Sequence, residues 1–320
     1  MLIACTGCRS CGTPVATTDD SSSTDTQDSA LDTADTAETG ETGDTAPPPM
    51  CAQIEVEPND HKTEAYEITH TWWACGAFED PDENDWDYLT FTIDREGGVS
   101  DTWIEIDVDA ANRASVADPE LIVYGPDDDG FLVEDFARGT DPYVVFPVAE
   151  DGTWDVALYD KYAGNGEDYT WYLRVLEGKQ PLEWDHVEAE PNDSLSDTLP
   201  TLLDGERAYG VVSDTYDLDW YQFTPEEGQE YLTLHVLANN YGSPLDARLA
   251  IYDSLGAKLE AATQGIGDSY DKDPSVSVPV DPAEQYYISV RLESDESTQV
   301  GGSAYWYVLE VELTDEDKTG

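Results

Sequence analysis

Two six-residue segments hold the residues best suited to chemistry. Glu55-Val56-Glu57-Pro58-Asn59-Asp60 recurs as Glu188-Ala189-Glu190-Pro191-Asn192-Asp193 about 130 residues later, a period too long for a solenoid. A proline drives the residue before it out of helical backbone. Glu57 and Glu190 are therefore expected on extended chain, where side chains at i, i+2 and i+4 share a face. Glu55, Glu57 and Asn59 then point one way, as do Glu188, Glu190 and Asn192, with Asp60 and Asp193 adjoining. Each set offers hard oxygens, and calcium takes roughly six to eight of them. A second acidic pair follows in each copy, Asp85 and Asp87, then Asp217 and Asp219. Asp80-Pro81-Asp82-Glu83-Asn84-Asp85 also has the D-x-D-x-N spacing of a calcium loop, without the glycine of an EF-hand. The competing reading is a solvated acidic surface.

The repeat keeps its register between and beyond these segments. Asp85-Trp86-Asp87-Tyr88-Leu89-Thr90-Phe91 matches Asp217-Leu218-Asp219-Trp220-Tyr221-Gln222-Phe223, and Asp118 to Tyr124 matches Asp246 to Tyr252. Pro147-Val148 matches Pro279-Val280, and Tyr169-Thr170-Trp171-Tyr172-Leu173-Arg174-Val175 matches Tyr305-Trp306-Tyr307-Val308-Leu309-Glu310-Val311. Ile104, Ile106 and Val108 alternate with polar neighbours, as do Leu232, Leu234 and Val236. The same period of two runs through Trp154, Val156 and Leu158 and through Tyr286, Ile288 and Val290, and it is the mark of half-buried strands. Clusters such as Gly125-Pro126-Asp127-Asp128-Asp129-Gly130 mark turns, and no long helical pattern competes. The fold class is all-β: two tandem antiparallel β-sandwich domains, at 51–178 and 186–314, joined by 179–185 and followed by a tail at 315–320.

An E-x-E-P-N-D opening, a D-x-D strand ending in Phe91 or Phe223, a D-x-x-L-x-x-Y strand and a closing Y-x-x-x-L-x-V strand together resemble the pre-peptidase C-terminal domain. The resemblance covers both copies. It implies jelly-roll-like sandwiches of the kind appended to secreted proteases and other exported proteins, with calcium-binding relatives among the collagenases. It also implies that the acidic loop before Asp85-Trp86-Asp87 completes the site begun by Glu55 and Glu57, and that the loop before Asp219 does so for Glu188 and Glu190. This chain departs from the usual setting in carrying no protease domain alongside.

Acidic residues outnumber basic ones 71 to 14 in 320 residues, for a formal charge of −57. Nucleic acid and anionic membrane surfaces are repelled by such a chain, which gains from salt or divalent cations. No apolar run reaches the roughly 18 residues of a transmembrane helix. Residues 1–16 read as a leader remnant in which Leu2-Ile3-Ala4-Cys5 resembles a lipobox, making Cys5 the expected lipidation site. Only four residues precede Cys5, short of the roughly 7–15 apolar residues of a signal peptide, so the expected leader starts upstream of Met1. Cys5, Cys8 and Cys11 are spaced like metal ligands, but no nearby fourth cysteine or histidine completes a site. Residues 17–50, rich in Asp and Thr and closing on Pro47-Pro48-Pro49, lack the apolar surface to fold and read as a disordered tether.

Enzyme signatures are weak. H-E-x-x-H and G-x-S-x-G are absent from the sequence, and His61, His70, His186 and His235 do not fall at equivalent positions in the two copies. Gly267-Asp268-Ser269 resembles one esterase signature but sits in a polar, turn-rich stretch, and acidic pairs suited to glycoside hydrolysis are too common here to single one out. Trp72, Trp73, Trp86, Trp103 and Tyr124 are read as core aromatics ahead of a ligand platform. The functional expectation is a non-catalytic, extracytoplasmic lipoprotein of the outer membrane or cell surface, or a secreted one. It is stabilised by calcium and contacts extracellular polymer or an envelope protein; the alternative is an accessory module of a secreted hydrolase.

Repeat alignment places Trp184 and Tyr209 where the first copy has Cys51 and Cys75. A disulfide in one copy is expected to take the place of an aromatic contact in the other, contributing roughly 3 kcal/mol through the loop it closes. Non-reducing peptide mapping of exported protein should recover Cys51 and Cys75 cross-linked. Two free thiols overturn the pairing.

Overall fold

The alternation along the chain becomes an alternation of burial. Ile104, Ile106 and Val108 are enclosed, as are Leu232, Leu234 and Val236; of their neighbours, Glu105, Tyr231, His235 and Leu237 are half-buried, while Trp103, Asp107 and Thr233 are covered by other parts of the fold. The structure is a computed structural model describing residues 51–315, apart from 70–71, 80–84, 96–101, 129, 134–138, 149, 229, 265–271, 283 and 294–300. The lipidation site Cys5, the cysteine cluster, the tether, His70, the loop stretch Asp80 to Asn84 and Gly267-Asp268-Ser269 lie outside the described residues.

The first half builds β1 (Gln53–Ile54), β2 (Tyr66–Glu67), β3 (Ala74–Ala77), β4 (Trp86–Ile93), β5 (Trp103–Asp109), β6 (Pro119–Tyr124), β7 (Gly130–Val133), β8 (Tyr143–Pro147), β9 (Gly152–Asp160) and β10 (Thr170–Gly178). The second half builds β11 (His186–Val187), β12 (Thr201–Leu202), β13 (Arg207–Val211), β14 (Leu218–Phe223), β15 (Tyr231–Leu237), β16 (Ala247–Tyr252), β17 (Lys258–Ala262), β18 (Ser275–Pro279), β19 (Tyr286–Leu292) and β20 (Trp306–Thr314). Strand order is β1-β3-β10-β5-β8 over β2-β4-β9-β6-β7 in one sandwich, and β11-β13-β20-β15-β18 over β12-β14-β19-β16-β17 in the other. The two orders are the same, and both are jelly rolls in which the chain winds between sheets. The pairing is antiparallel except for the short strands that open each half. β1 and β2 lie parallel to β3 and β4, and β11 and β12 to β13 and β14.

Leu89, Phe91, Val156 and Leu158 of one sheet meet Ile104, Ile106, Leu173 and Val175 of the other in the first core. Many carboxylates are clasps rather than surface charge. Asp141 accepts the backbone N–H groups of Ala111 and Asn112 at 2.8 and 3.1 Å, and Asp273 those of Ala238, Asn239 and Asn240 at 3.1, 2.6 and 3.1 Å. An aspartate supplies acceptors where a tight turn has turned its donors outward.

The sandwiches pack as one compact unit through a second apolar cluster. Trp103, on the outer side of β5, meets Trp306 edge to face at 5.3 Å and lies 6.2 Å from both Trp184 and Tyr209. Leu182 and Trp184, from the connecting segment, pack into this cluster. β8 ends its sheet, and an edge strand leaves backbone groups without partners. Here the second sandwich satisfies them: Val145 N–H donates to the Gly242 carbonyl at 2.8 Å, and the Val145 carbonyl accepts from Trp306 Nε1 at 2.7 Å. Gly242 has φ +99°, but its counterpart Ala114 holds φ +64° with a side chain. Close approach demands the glycine, since a Cβ on Gly242 would lie 2.8 Å from the Val145 nitrogen.

Gly242→Ala combined with Trp306→Ala should uncouple the sandwiches, leaving a buried carbonyl unpaired at a cost of about 1–3 kcal/mol. Calorimetry should resolve two unfolding transitions where the native chain shows one. An unchanged single transition contradicts the coupling.

Candidate metal centre

The first site begins where β1 runs beside β3. Glu55 N–H continues the pairing to the Cys75 carbonyl at 3.0 Å, and the Glu55 side chain lies across Gly76. A Cβ on Gly76 would stand 1.9 Å from Glu55 Oε1, so only glycine leaves room for this carboxylate. Ala77 N–H donates to the same oxygen at 2.7 Å. The Glu57–Pro58 peptide bond is cis, as is Glu190–Pro191. The backbone bends at Glu57 and at Glu190, which corrects the expected extended run: Asn59 meets Glu55 across that bend rather than by strand alternation.

Asn59 is fully buried; its N–H donates to Glu57 Oε2 at 2.9 Å and its Nδ2 to Glu55 Oε2 at 3.1 Å. Its carbonyl accepts Tyr88 N–H at 3.0 Å, which pins the segment to β4 beside Asp87. Asp87 takes an inward position on β4 in line with Leu89 and Phe91, is fully buried, and accepts from Trp171 Nε1 through Oδ2. Glu55, Glu57 and Asp87 each bring an oxygen within 4.8 Å of the others. The Oδ1 atoms of Asn59 and Asp87 are buried without a hydrogen-bond partner.

The second sandwich repeats the cluster with Glu188, Glu190 and Asp219, again within 4.8 Å of one another. Val211 N–H donates to Glu188 at 2.6 Å, and Asn192 N–H to Glu190 at 3.1 Å. Tyr307, at the position of Trp171, donates its hydroxyl to Asp219 at 2.7 Å and stands 2.7 Å from the Tyr221 hydroxyl. With its amide nitrogen turned toward the cluster, buried Asn192 donates to both Glu190 oxygens at 3.1 and 3.2 Å and to Asp219 at 3.2 Å.

Burial raises every carboxylate of the clusters above its ordinary range, and neighbouring carboxylates add to the effect. Glu55 and Glu188 rise to about 7, Asp87 to about 10 and Asp219 to about 9. Glu57 and Glu190 are exposed, but the more enclosed pairs, Glu55 with Asp87 and Glu188 with Asp219, resist ionising together unless a positive charge joins them. All donors present are hard oxygens, the set that fits calcium.

The remaining expected ligands lie beside the clusters, where the charges of Asp85 and Asp60 help raise Glu57 and those of Asp217 and Asp193 help raise Glu190. Asp85 accepts Glu79 N–H and Asp217 accepts Ser213 N–H, so each clasps the loop before its strand. Asp60 and Asp193 stand outside the converging sets. Of the five aromatics expected in the core, Trp103 is buried, in the cluster at the junction, and the other four are not. Trp72 is exposed, Trp73 lies under Arg174, Trp86 stacks on Tyr159, Trp103 joins the junction, and Tyr124 lies under Lys62. Trp171, Tyr307, Gly76 and Gly210 shape the clusters and were not singled out as ligand-shaping residues. Trp171 and Tyr307 do match in the repeat, which was the available signal. Cys51 and Cys75 are bonded with Cα atoms 5.8 Å apart, and Trp184 stacks on Tyr209 at 4.5 Å.

No family model matches the chain, and no curated protein does. Among solved structures, the chain is similar to the pre-peptidase C-terminal domain of a collagenase from Bacillus anthracis, with 10% identity and a TM-score of 0.27, covering 38% of this chain and 99% of that one. It is also similar to the tandem CBM51 modules of a family 98 glycoside hydrolase from Streptococcus pneumoniae, with 10% identity and a TM-score of 0.25, covering 75% and 88%. A tandem CBM22 structure from Paenibacillus barcinonensis gives 10% identity and a TM-score of 0.20, covering 70% and 82%. At these TM-scores none of the likenesses decides what this chain does.

In a chelator, the folded chain holds protons on Asp87, Asp219, Glu55 and Glu188 that the unfolded chain has already released. Stability therefore falls as pH rises from about 4, where the unfolded groups ionise, toward the raised folded values. Chemical denaturation should give a higher midpoint at about pH 5 than at about pH 8, and Asp87→Asn with Asp219→Asn should flatten the difference. A midpoint that rises with pH in the chelated protein contradicts this.

Proposed function

We propose that this chain is a non-catalytic binding module acting outside the cytoplasm, each sandwich stabilised by one calcium ion. The observation that carries the reading is the repeated convergence of Glu55, Glu57 and Asp87, and of Glu188, Glu190 and Asp219, within 4.8 Å of one another, with the buried Oδ1 atoms of Asn59 and Asp87 left without a hydrogen-bond partner in the first cluster. Bound calcium would supply the positive charge these carboxylates lack. Glu55, Glu57 and Asp87 would hold the first ion, with Asn59 Oδ1 facing it, and Glu188, Glu190 and Asp219 the second, with Asn192 turning its oxygen inward. The lipid anchor on Cys5 and the tether rest on the sequence alone. The partner in this reading is an extracellular polymer or an envelope protein, and the E-x-E-P-N-D resemblance keeps an accessory role beside a secreted hydrolase as the second reading.

Calcium should raise the melting temperature of the full chain at constant high sodium chloride, by an amount equivalent to about 2.7 kcal/mol for each bound ion when calcium stands at a hundredfold its dissociation constant. Glu57→Ala with Asn59→Ala should remove the first sandwich's share, and Glu190→Ala with Asn192→Ala the second's. If sodium alone reproduces the shift, or all four changes together leave it intact, the clusters are an acidic surface and nothing more.

A further inference from the structure

The two clusters are alike, but the surfaces beside them are not. In the second sandwich, Trp184, Tyr209, Trp306 and Val308 fill the face next to Glu188 and Glu190 and carry the docked first sandwich. At the matching positions the first sandwich has Cys51, Cys75, Thr170 and Tyr172, and these line an open pocket of about 340 Å³. Glu55 and Glu57 of the cluster open onto that pocket, with Glu79 on its rim. The disulfide and Ile54 supply apolar lining, and Tyr172 adds a ring that carries the Arg113 guanidinium over one face, 5.6 Å from its centroid.

We infer that this pocket binds a neutral saccharide, which reaches the first site's cation with a vicinal pair of hydroxyls while Tyr172 and Glu79 hold the ring. Asn59 and Asp87, whose Oδ1 atoms are buried without a hydrogen-bond partner, do not line the pocket and connect to it through Glu55 and Glu57, with which they cluster. Three carboxylates already outweigh a divalent cation, and the chain is strongly acidic, so an anionic ligand is disfavoured. Hydroxyl groups are hard, neutral oxygens that complete calcium's coordination. Aromatic ring, carboxylate acceptor and open cation site are what a polyhydroxylated ring requires. The second site takes no saccharide, because the junction covers the equivalent face. This inference rests on the proposed calcium sites.

The test uses the full chain with methyl α-mannoside, methyl β-galactoside, methyl α-fucoside and methyl β-glucoside, which sample the geometries of vicinal diols. Titration is followed by NMR in calcium and in chelator, with calcium binding measured separately by calorimetry. At least one sugar should bind in calcium and release in chelator. Thr170→Trp, which installs the residue the second sandwich has at that position, should abolish sugar binding while both calcium sites stay filled. Tyr172→Ala should weaken sugar binding about tenfold, with Tyr172→Phe restoring it. Asp219→Asn should lose one calcium and keep the sugar. Two bound calcium ions with no sugar binding, or sugar binding that survives the chelator or Thr170→Trp, overturns the inference and leaves the calcium reading standing. Failure of calcium to bind at all removes both.

Discussion

A carboxylate pointing into the interior of a β-sandwich is the constraint around which each half is arranged. Asp87 and Asp219 occupy inward positions that the strand pattern would give to a leucine, and a buried charge without compensation is among the costliest things a fold can contain. The neighbouring structure answers that cost. Trp171 donates to one oxygen of Asp87 and Tyr307, itself bonded to Tyr221, to one oxygen of Asp219; the opening segment brings two glutamates beside each aspartate, and Gly76 and Gly210 clear the space they need. The first strands are fastened parallel to β3 and β13 because Glu55 and Glu188 must arrive there.

Much of this was legible in the residues. The repeat located both clusters, and period-two alternation located the strands that enclose them. Glu55, Glu57 and Asp87 were all among the residues expected to act together. What the alternation rule misjudged was the path: the chain bends at Glu57 and Glu190, and that bend joins residues that a strand would have lined up. The role of Asp85 and Asp217 was not legible, because an i, i+2 pair on one strand looks the same whether both side chains face a ligand or one clasps a loop. Trp103 is buried as expected, but in the cluster between the sandwiches rather than inside one of them. Its true setting depends on a second sandwich docking there, which no local pattern records.

The acidic composition divides along the same lines. Charge counting treats 71 carboxylates as one solvated population. Asp141, Asp160 and Asp273 instead bind backbone donors at turns, the Asp160 carboxylate accepting from Asp118, Tyr162 and Gly164. Such aspartates act as structural punctuation, and their number reflects how many tight connections two jelly rolls contain.

The contact between the sandwiches joins different surfaces of two like units, a heterologous association that has no built-in end and would extend head to tail into a filament if every unit offered both surfaces. This chain offers each surface once. The receiving face of the first sandwich carries the Cys51–Cys75 bridge in place of the Trp184–Tyr209 stack. On the second sandwich, the positions matching Trp103, Tyr143 and Val145 are Tyr231, Ser275 and Ser277, with Ser277 bonded to Thr233 and Ser275 to His235. Both ends of the row are thus blunted by substitution at the positions that join its middle. Among the described residues, the two sandwiches, built on one plan, are no longer interchangeable.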